Sequence, residues 1–61
     1  MKVKDILDII YADGWFLVRT KGSHRQFHHA TKAGTVTVAG EPSHDLLRGI
    51  ESSILKQAGL K

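Results

Sequence analysis

Four histidines are the side chains best suited to chemistry in this 61-residue sequence, and three of them lie within six positions. His24, His28 and His29 stand in the run KGSHRQFHHATKAGTV, and His44 follows in a later segment. A neutral imidazole serves proteins as a metal ligand or as an acid–base group near neutral pH. The run therefore indicates a metal site, a catalytic site or a polar hairpin that is rich in histidine.

Positive charge is concentrated around the same run. Residues 14 to 40 include four cationic side chains and no acidic one, whereas the rest of the chain has five cations and six acids. Such a segment is typical of a surface that meets phosphate groups, although a solvated basic hairpin has the same composition. The four cations are Arg19, Lys21, Arg25 and Lys32.

The composition limits the class of protein. A chain of this length predicts one small domain over residues 1–61. The absence of cysteine excludes disulfides and thiolate zinc sites. The sequence has no apolar run long enough to indicate a membrane span or a signal sequence. We therefore expect a cytoplasmic protein without a membrane partner.

The order of the predicted elements decides which side chains meet. Apolar residues at helical spacing predict a first helix of about ten residues that ends at Gly14. The runs WFLVRT, HRQFHH and TVTVA predict three strands of an antiparallel meander. A second helix follows around Ile54, and Gly59 is suited to end it in a left-handed conformation, with Leu60 packing back. This order predicts a two-layer α+β domain, αβββα, with both helices on one face of the sheet and the other face open.

Strand alternation assigns the faces of the second strand. Phe27 is its only large apolar residue, so its burial also turns Arg25 and His29 toward the helices or the rim. The alternate residues then point outward, namely His24, Gln26 and His28. The first strand leaves both phases open, because WFLV is apolar on either face.

A single-metal site fits this pattern poorly. His24 and His28 share a face but lie about 13 Å apart along the strand, whereas zinc donors lie about 2 Å from the ion. His28 and His29 point to opposite faces, and a site would need His44 together with an acid such as Glu41. We therefore predict no metal and no other cofactor.

Catalysis on RNA makes smaller demands. RNA carries its own nucleophile, the 2′-hydroxyl group, so a ribonuclease needs a base, cations that stabilise the phosphorane and a means of holding the backbone. His24 follows a Gly-Ser turn and is flanked by Lys21 and Arg25. Spacing alone does not separate this role from that of a polar surface histidine.

A family resemblance adds to this interpretation. The segments DGWFLVRTKGSHRQF, TVTVAG and SILKQAGL resemble the HicA family, the toxins of HicA–HicB toxin–antitoxin modules. The resemblance implies a fold like that of a double-stranded-RNA-binding domain and an endoribonuclease that cleaves mRNA without metal. It also implies a HicB-like antitoxin that binds the toxin and blocks its active site.

Carried across residue by residue, the catalytic histidine of the family falls on His24. Its second histidine falls on His29, which we interpret as structural because it shares a face with Phe27. Gly22 would give the turn its backbone freedom, and Ser23 would contact a phosphate or orient the imidazole. The residues expected to bind RNA are Arg19, Lys21, Gly22, Ser23, Arg25, His28 and Lys32.

Two other interpretations remain open at this point. One is a non-catalytic RNA-binding module with the same fold, in which the cations alone serve binding. The other is an inactivated toxin that acts only as an antitoxin-binding protein. A general acid is not identified by the sequence; His44 would serve only if its loop folded over the hairpin, and solvent is the simpler source of a proton.

Overall fold

The computed structural model describes all 61 residues as two helices and one sheet. The strands are antiparallel in the order β1-β2-β3, so β2 is central, and the predicted αβββα order is confirmed. The elements are α1 (Val3–Ala12), β1 (Trp15–Lys21), β2 (His24–His29), β3 (Val36–Ala39) and α2 (Arg48–Gln57).

The core lies between the two helices and one face of the sheet. It consists of nine buried side chains, all of them apolar, and burying a large apolar side chain contributes about 1.5–3 kcal/mol. Every element contributes, so the opposite face of the sheet is left without cover. The buried residues are Val3, Ile6, Ile10, Trp15, Phe27, Val36, Val38, Ile54 and Ala58.

The start of α1 is held by the loop that joins β3 to α2. The backbone N–H of Val3 donates to the carbonyl of His44 at 2.9 Å, and that of Lys4 donates to Pro42 at 3.1 Å. These contacts satisfy two N–H groups that have no partner within the helix. The loop that carries His44 is thereby fixed to the start of α1.

The end of α2 agrees with the sequence prediction. Gly59 has a φ of +71°, and its N–H donates to the carbonyl of Lys56 at 3.0 Å. The N–H of Leu60 donates to the carbonyl of Leu55 at 2.8 Å, which completes a Schellman motif.

The start of α2 packs less well than its end. Leu47 has no side-chain cap and is 77% exposed, and Ile50 is 50% exposed. Ile54 and Ala58 are the buried members of the apolar stripe, so the helix packs on the core mainly through its second half.

A β-bulge at Val18 reverses the phase of β1. Leu17 pairs with Phe27 and Arg19 pairs with Gln26, so Val18 is an extra residue without a partner on β2. Before the bulge, Leu17 lies on the helix side. After it, Arg19 lies on the open face, where regular alternation would have placed Val18 instead.

The bulge also brings residues of opposite sequence phase to one face of the sheet. Phe16 pairs with His28 on the open face, and Lys21 pairs with His24 on the same face. Phe16 and Lys21 are five positions apart, and without the inserted residue they would point to opposite faces.

A polar junction ties the turn after α1 to the end of α2. The ammonium of Lys32 binds the carboxylate of Asp13 and donates to the carbonyl of Ala58 at 3.0 Å. The indole N–H of Trp15 donates to the same carboxylate oxygen at 3.2 Å. One lysine in the β2–β3 loop thus joins three separate segments.

We predict that this junction makes folding sensitive to acid. The hydrogen bond from Lys32 holds the pKa of Asp13 below its ordinary value of 3.8, with further lowering by the charge of Lys32 and the Trp15 hydrogen bond. Because the folded pKa is lowered, this stabilisation is complete above the unfolded pKa and is lost as the pH falls through the folded one. Thermal unfolding from pH 2 to pH 7 should show a smaller acid-side loss of Tm for Asp13→Asn than for wild type; equal losses would contradict the prediction.

Candidate active site

The open face of the sheet gathers polar and cationic side chains into one basin. Lys21 lies opposite His24, and Arg19 lies opposite Gln26, which in turn pairs with Thr37 on β3. These side chains surround a shallow basin of about 490 Å³. No acidic or apolar residue lines it; the lining residues are Arg19, Lys21, Gly22, His24, Gln26 and Thr37.

A two-residue turn places His24 at the edge of this basin. Gly22 has a φ of +60°, and Ser23 does not have a positive φ, which is the pattern of a type II′ hairpin turn. Because only two residues separate the strands, His24 must lie opposite Lys21. The carbonyl of Ser23 accepts a hydrogen bond from the N–H of Gly40 at 3.2 Å, which fastens the turn to the end of β3.

The four histidines have different surroundings. His28 lies 3.2 Å from a threonine hydroxyl, His29 lies 2.6 Å from a backbone carbonyl, and His44 lies 3.7 Å from a glutamate carboxylate. His24 is exposed and has no hydrogen-bond or ion-pair partner, so both of its ring nitrogens are open to solvent. Of the four, it is therefore the one with an uncommitted imidazole at the basin.

Two cations expected at the site have other partners. Arg25 lies in the phase of Phe27, and its guanidinium donates to the carbonyl of Gly40 at 2.8 Å. Lys32 belongs to the junction with Asp13 described above. Neither side chain lines the basin.

The remaining expected site residues lie on or near the open face. Arg19, Lys21 and Gly22 line the basin together with His24. Ser23 is exposed in the turn beside it, and His28 is exposed further along β2. The outward phase predicted for His24 and His28 is confirmed.

Two basin residues were not among the expected site residues. Strand alternation predicts the outward direction of Gln26 but no function for it, and the side chain of Thr37 joins it at the basin. The signal for Thr37 is the alternation TVTV, because burial of Val36 and Val38 turns the threonine between them to the open face.

The loop of His44 does not reach the basin. Its backbone holds the start of α1, and its side chain, 65% exposed, lies beside Glu41. No three His, Asp or Glu side chains converge as a metal-ligand group anywhere in the structure.

Comparison with known families gives a match over almost the whole chain. The family model described as HicA toxin of bacterial toxin–antitoxin matches residues 3–60. The chain belongs to the HicA toxin family. This HicA chain therefore has a toxin role, which implies a cognate antitoxin as its partner.

Two further findings complete the comparison. Curated proteins include no match to this HicA chain. Neither of its helices has the length and apolar character needed to cross a membrane.

Proposed function

We propose that this HicA chain is an endoribonuclease that cleaves mRNA without a metal ion, with His24 as the general base. The observation that carries the proposal is the position of an unpartnered His24 in a basin beside Arg19 and Lys21. A base and two cations on one exposed surface are the groups that cleavage by the 2′-hydroxyl requires.

The first step is transfer of a proton to His24. Its neutral imidazole accepts the proton of the 2′-hydroxyl group, and the 2′-oxygen attacks the adjacent phosphorus. The nucleophile and the phosphorus belong to the same nucleotide, so the enzyme gains from holding a favourable geometry rather than from bringing two molecules together.

The second requirement is stabilisation of the negative charge that develops on the phosphorane oxygens. Lys21 lies directly across the hairpin from His24. Arg19, two residues before Lys21, lies on the same face opposite Gln26. An arginine can bind two phosphate oxygens at once, whereas a lysine acts as a compact point charge. Arg25 is left out of this step because its guanidinium is bound to the carbonyl of Gly40.

Bond formation between the 2′-oxygen and phosphorus breaks the bond from phosphorus to the 5′-oxygen. The leaving 5′-oxygen takes a proton from solvent. The products are a 2′,3′-cyclic phosphate and a 5′-hydroxyl end. His24 then returns the proton it accepted to solvent.

Membership of the family supports a cognate antitoxin as a partner. We propose a HicB-like protein as the cognate antitoxin, bound so that it covers the open face. With mRNA as the substrate, the proposed place of action is the cytoplasm.

The test compares an all-ribose oligonucleotide with one that carries a single 2′-deoxy position at the mapped cleavage site, both in EDTA. We expect cleavage of the first, a 2′,3′-cyclic phosphate at its new end, and no cleavage at the deoxy position. Cleavage at that position, a 5′-phosphate product or loss of activity in EDTA would refute the mechanism. Intact RNA with a folded protein would favour an RNA-binding module.

A further inference from the structure

One aromatic ring on the open face has no structural role in the core. The chain has four Phe, Trp or Tyr residues. Trp15 and Phe27 are buried on the helix side, and Tyr11 packs edge-on against Phe27 with ring centroids 5.5 Å apart. Phe16 lies on the opposite face and is 48% exposed.

The position of Phe16 relative to the basin is fixed by strand register. It pairs with His28, whose ring is held 3.2 Å from the Thr35 hydroxyl. His24 lies four residues before His28 on β2, a distance of about 13 Å along the strand. Arg19 lies between the two positions, on the same face.

We propose that Phe16 is a stacking platform for an unpaired RNA base, so that the substrate class is single-stranded RNA. The proposal rests on the nuclease function given above and adds a binding residue outside the basin. An exposed aromatic ring beside cations is the usual means of binding single strands, because every base has a π-face that can stack. Bases inside a duplex do not offer that face.

Charge favours RNA as the occupant of this face, and size favours a single strand. Arg19 and Lys21 lie on it and no acidic residue lines its basin, which complements a phosphate backbone. Domains that read duplex RNA by shape span about 16 base pairs, on the order of 45 Å, whereas the longest dimension of this chain is 29 Å. The distance from Phe16 to His24 matches no more than about four stacked nucleotides at roughly 3.4 Å each.

The bulge at Val18 supports the same conclusion. It is the feature that puts Phe16 on one face with Arg19 and Lys21. The ring that would stack a nucleobase and the two cations that would bind phosphates therefore follow one another along β1 toward the position of His24.

Binding is best measured in a His24→Ala background, where the RNA stays intact. The probes are an eight-nucleotide single-stranded RNA and the same RNA annealed to its complement. The variants are Phe16→Ala, Phe16→Trp and, as a matched control, Leu17→Ala, which removes an apolar side chain of similar exposure, 45%, from the other face.

We expect Phe16→Ala to weaken single-strand binding about 5- to 100-fold, with Phe16→Trp and Leu17→Ala close to the parent. Fluorescence of the new tryptophan should be quenched by the single strand, since Trp15 is buried and contributes little change. Circular dichroism confirms folding of each variant.

The proposal would be overturned by an unchanged Kd for Phe16→Ala, by equal losses for Phe16→Ala and Phe16→Trp, or by tighter binding of the duplex. Loss of antitoxin binding with RNA binding intact would instead make the ring a protein contact and would also overturn it. Because binding is read without cleavage, a wild type that stacks RNA but never cuts it would refute the nuclease and leave the platform standing.

Discussion

His24→Ala is expected to lower RNA cleavage about 100- to 10,000-fold while the protein stays folded. The imidazole is exposed and has no partner, so its removal takes away the proposed base without opening a cavity or leaving a buried polar group unpaired. Surface substitutions of this kind change the free energy of unfolding by about 0.5 kcal/mol or less, which keeps Tm within roughly 4 °C for a domain of this size. The measurement is the initial rate of oligonucleotide cleavage together with thermal unfolding.

His28→Ala is the matched control for that substitution. His28 is also an exposed histidine of β2 on the open face, but it lies outside the basin and its ring contacts Thr35. Its removal should lower the rate no more than a few-fold, because it takes away an expected RNA contact but not the proposed base. Equal rates for His24→Ala and wild type would show that another group is the base, and equal losses for both variants would indicate a general effect of the surface on RNA binding.

Strand alternation explains why much of this site was predictable. One large apolar residue, Phe27, fixed the phase of β2, and that phase correctly placed His24 and His28 outward and Arg25 inward. The end of α2 was equally predictable, because a glycine after an apolar helical repeat indicates a left-handed residue, and Gly59 has that conformation. These are local rules, and the structure obeys them.

The features that were not predictable depend on contacts distant in sequence. The bulge at Val18 has no glycine or proline to mark it, and its evidence is the pairing with β2. Lys32 has the same charge as Lys21, but it is bound to Asp13, 19 positions away, and to Ala58, 26 positions away. Sequence indicated where the charges are concentrated, and tertiary packing decided which of them face the open side.

His29 is a histidine with a structural role, and its hydrogen bonds define its tautomer. Its Nδ1 accepts from the backbone N–H groups of Thr31 and Lys32, each at 3.1 Å. Its Nε2 therefore carries the proton and donates to the carbonyl of Asp13 at 2.6 Å. The ring packs edge-on against Trp15 with centroids 5.1 Å apart. This one side chain organises the start of the β2–β3 loop and the turn after α1.

The same ring explains the glycine at position 14. Gly14 has a φ of +99°, and a Cβ there would lie 2.9 Å from Nε2 of His29. A larger residue would both strain the backbone and displace the imidazole from the Asp13 carbonyl. The helix end and the histidine are thus parts of one arrangement.

His29→Ala is therefore expected to lower the free energy of unfolding by about 2–3 kcal/mol, because it removes the hydrogen bonds of both ring nitrogens and an aromatic contact. For a domain of this length that corresponds to a drop in Tm of roughly 10–20 °C. Cleavage per folded molecule should remain near the wild-type rate below the lowered Tm, since His29 lies on the face opposite to the basin. A Tm equal to that of His28→Ala would contradict the structural role. A folded His29→Ala protein without activity would indicate that His29, and not His24, is the general base. Together the two substitutions separate the histidine proposed to act on RNA from the histidine that holds the fold, five positions apart in the same strand.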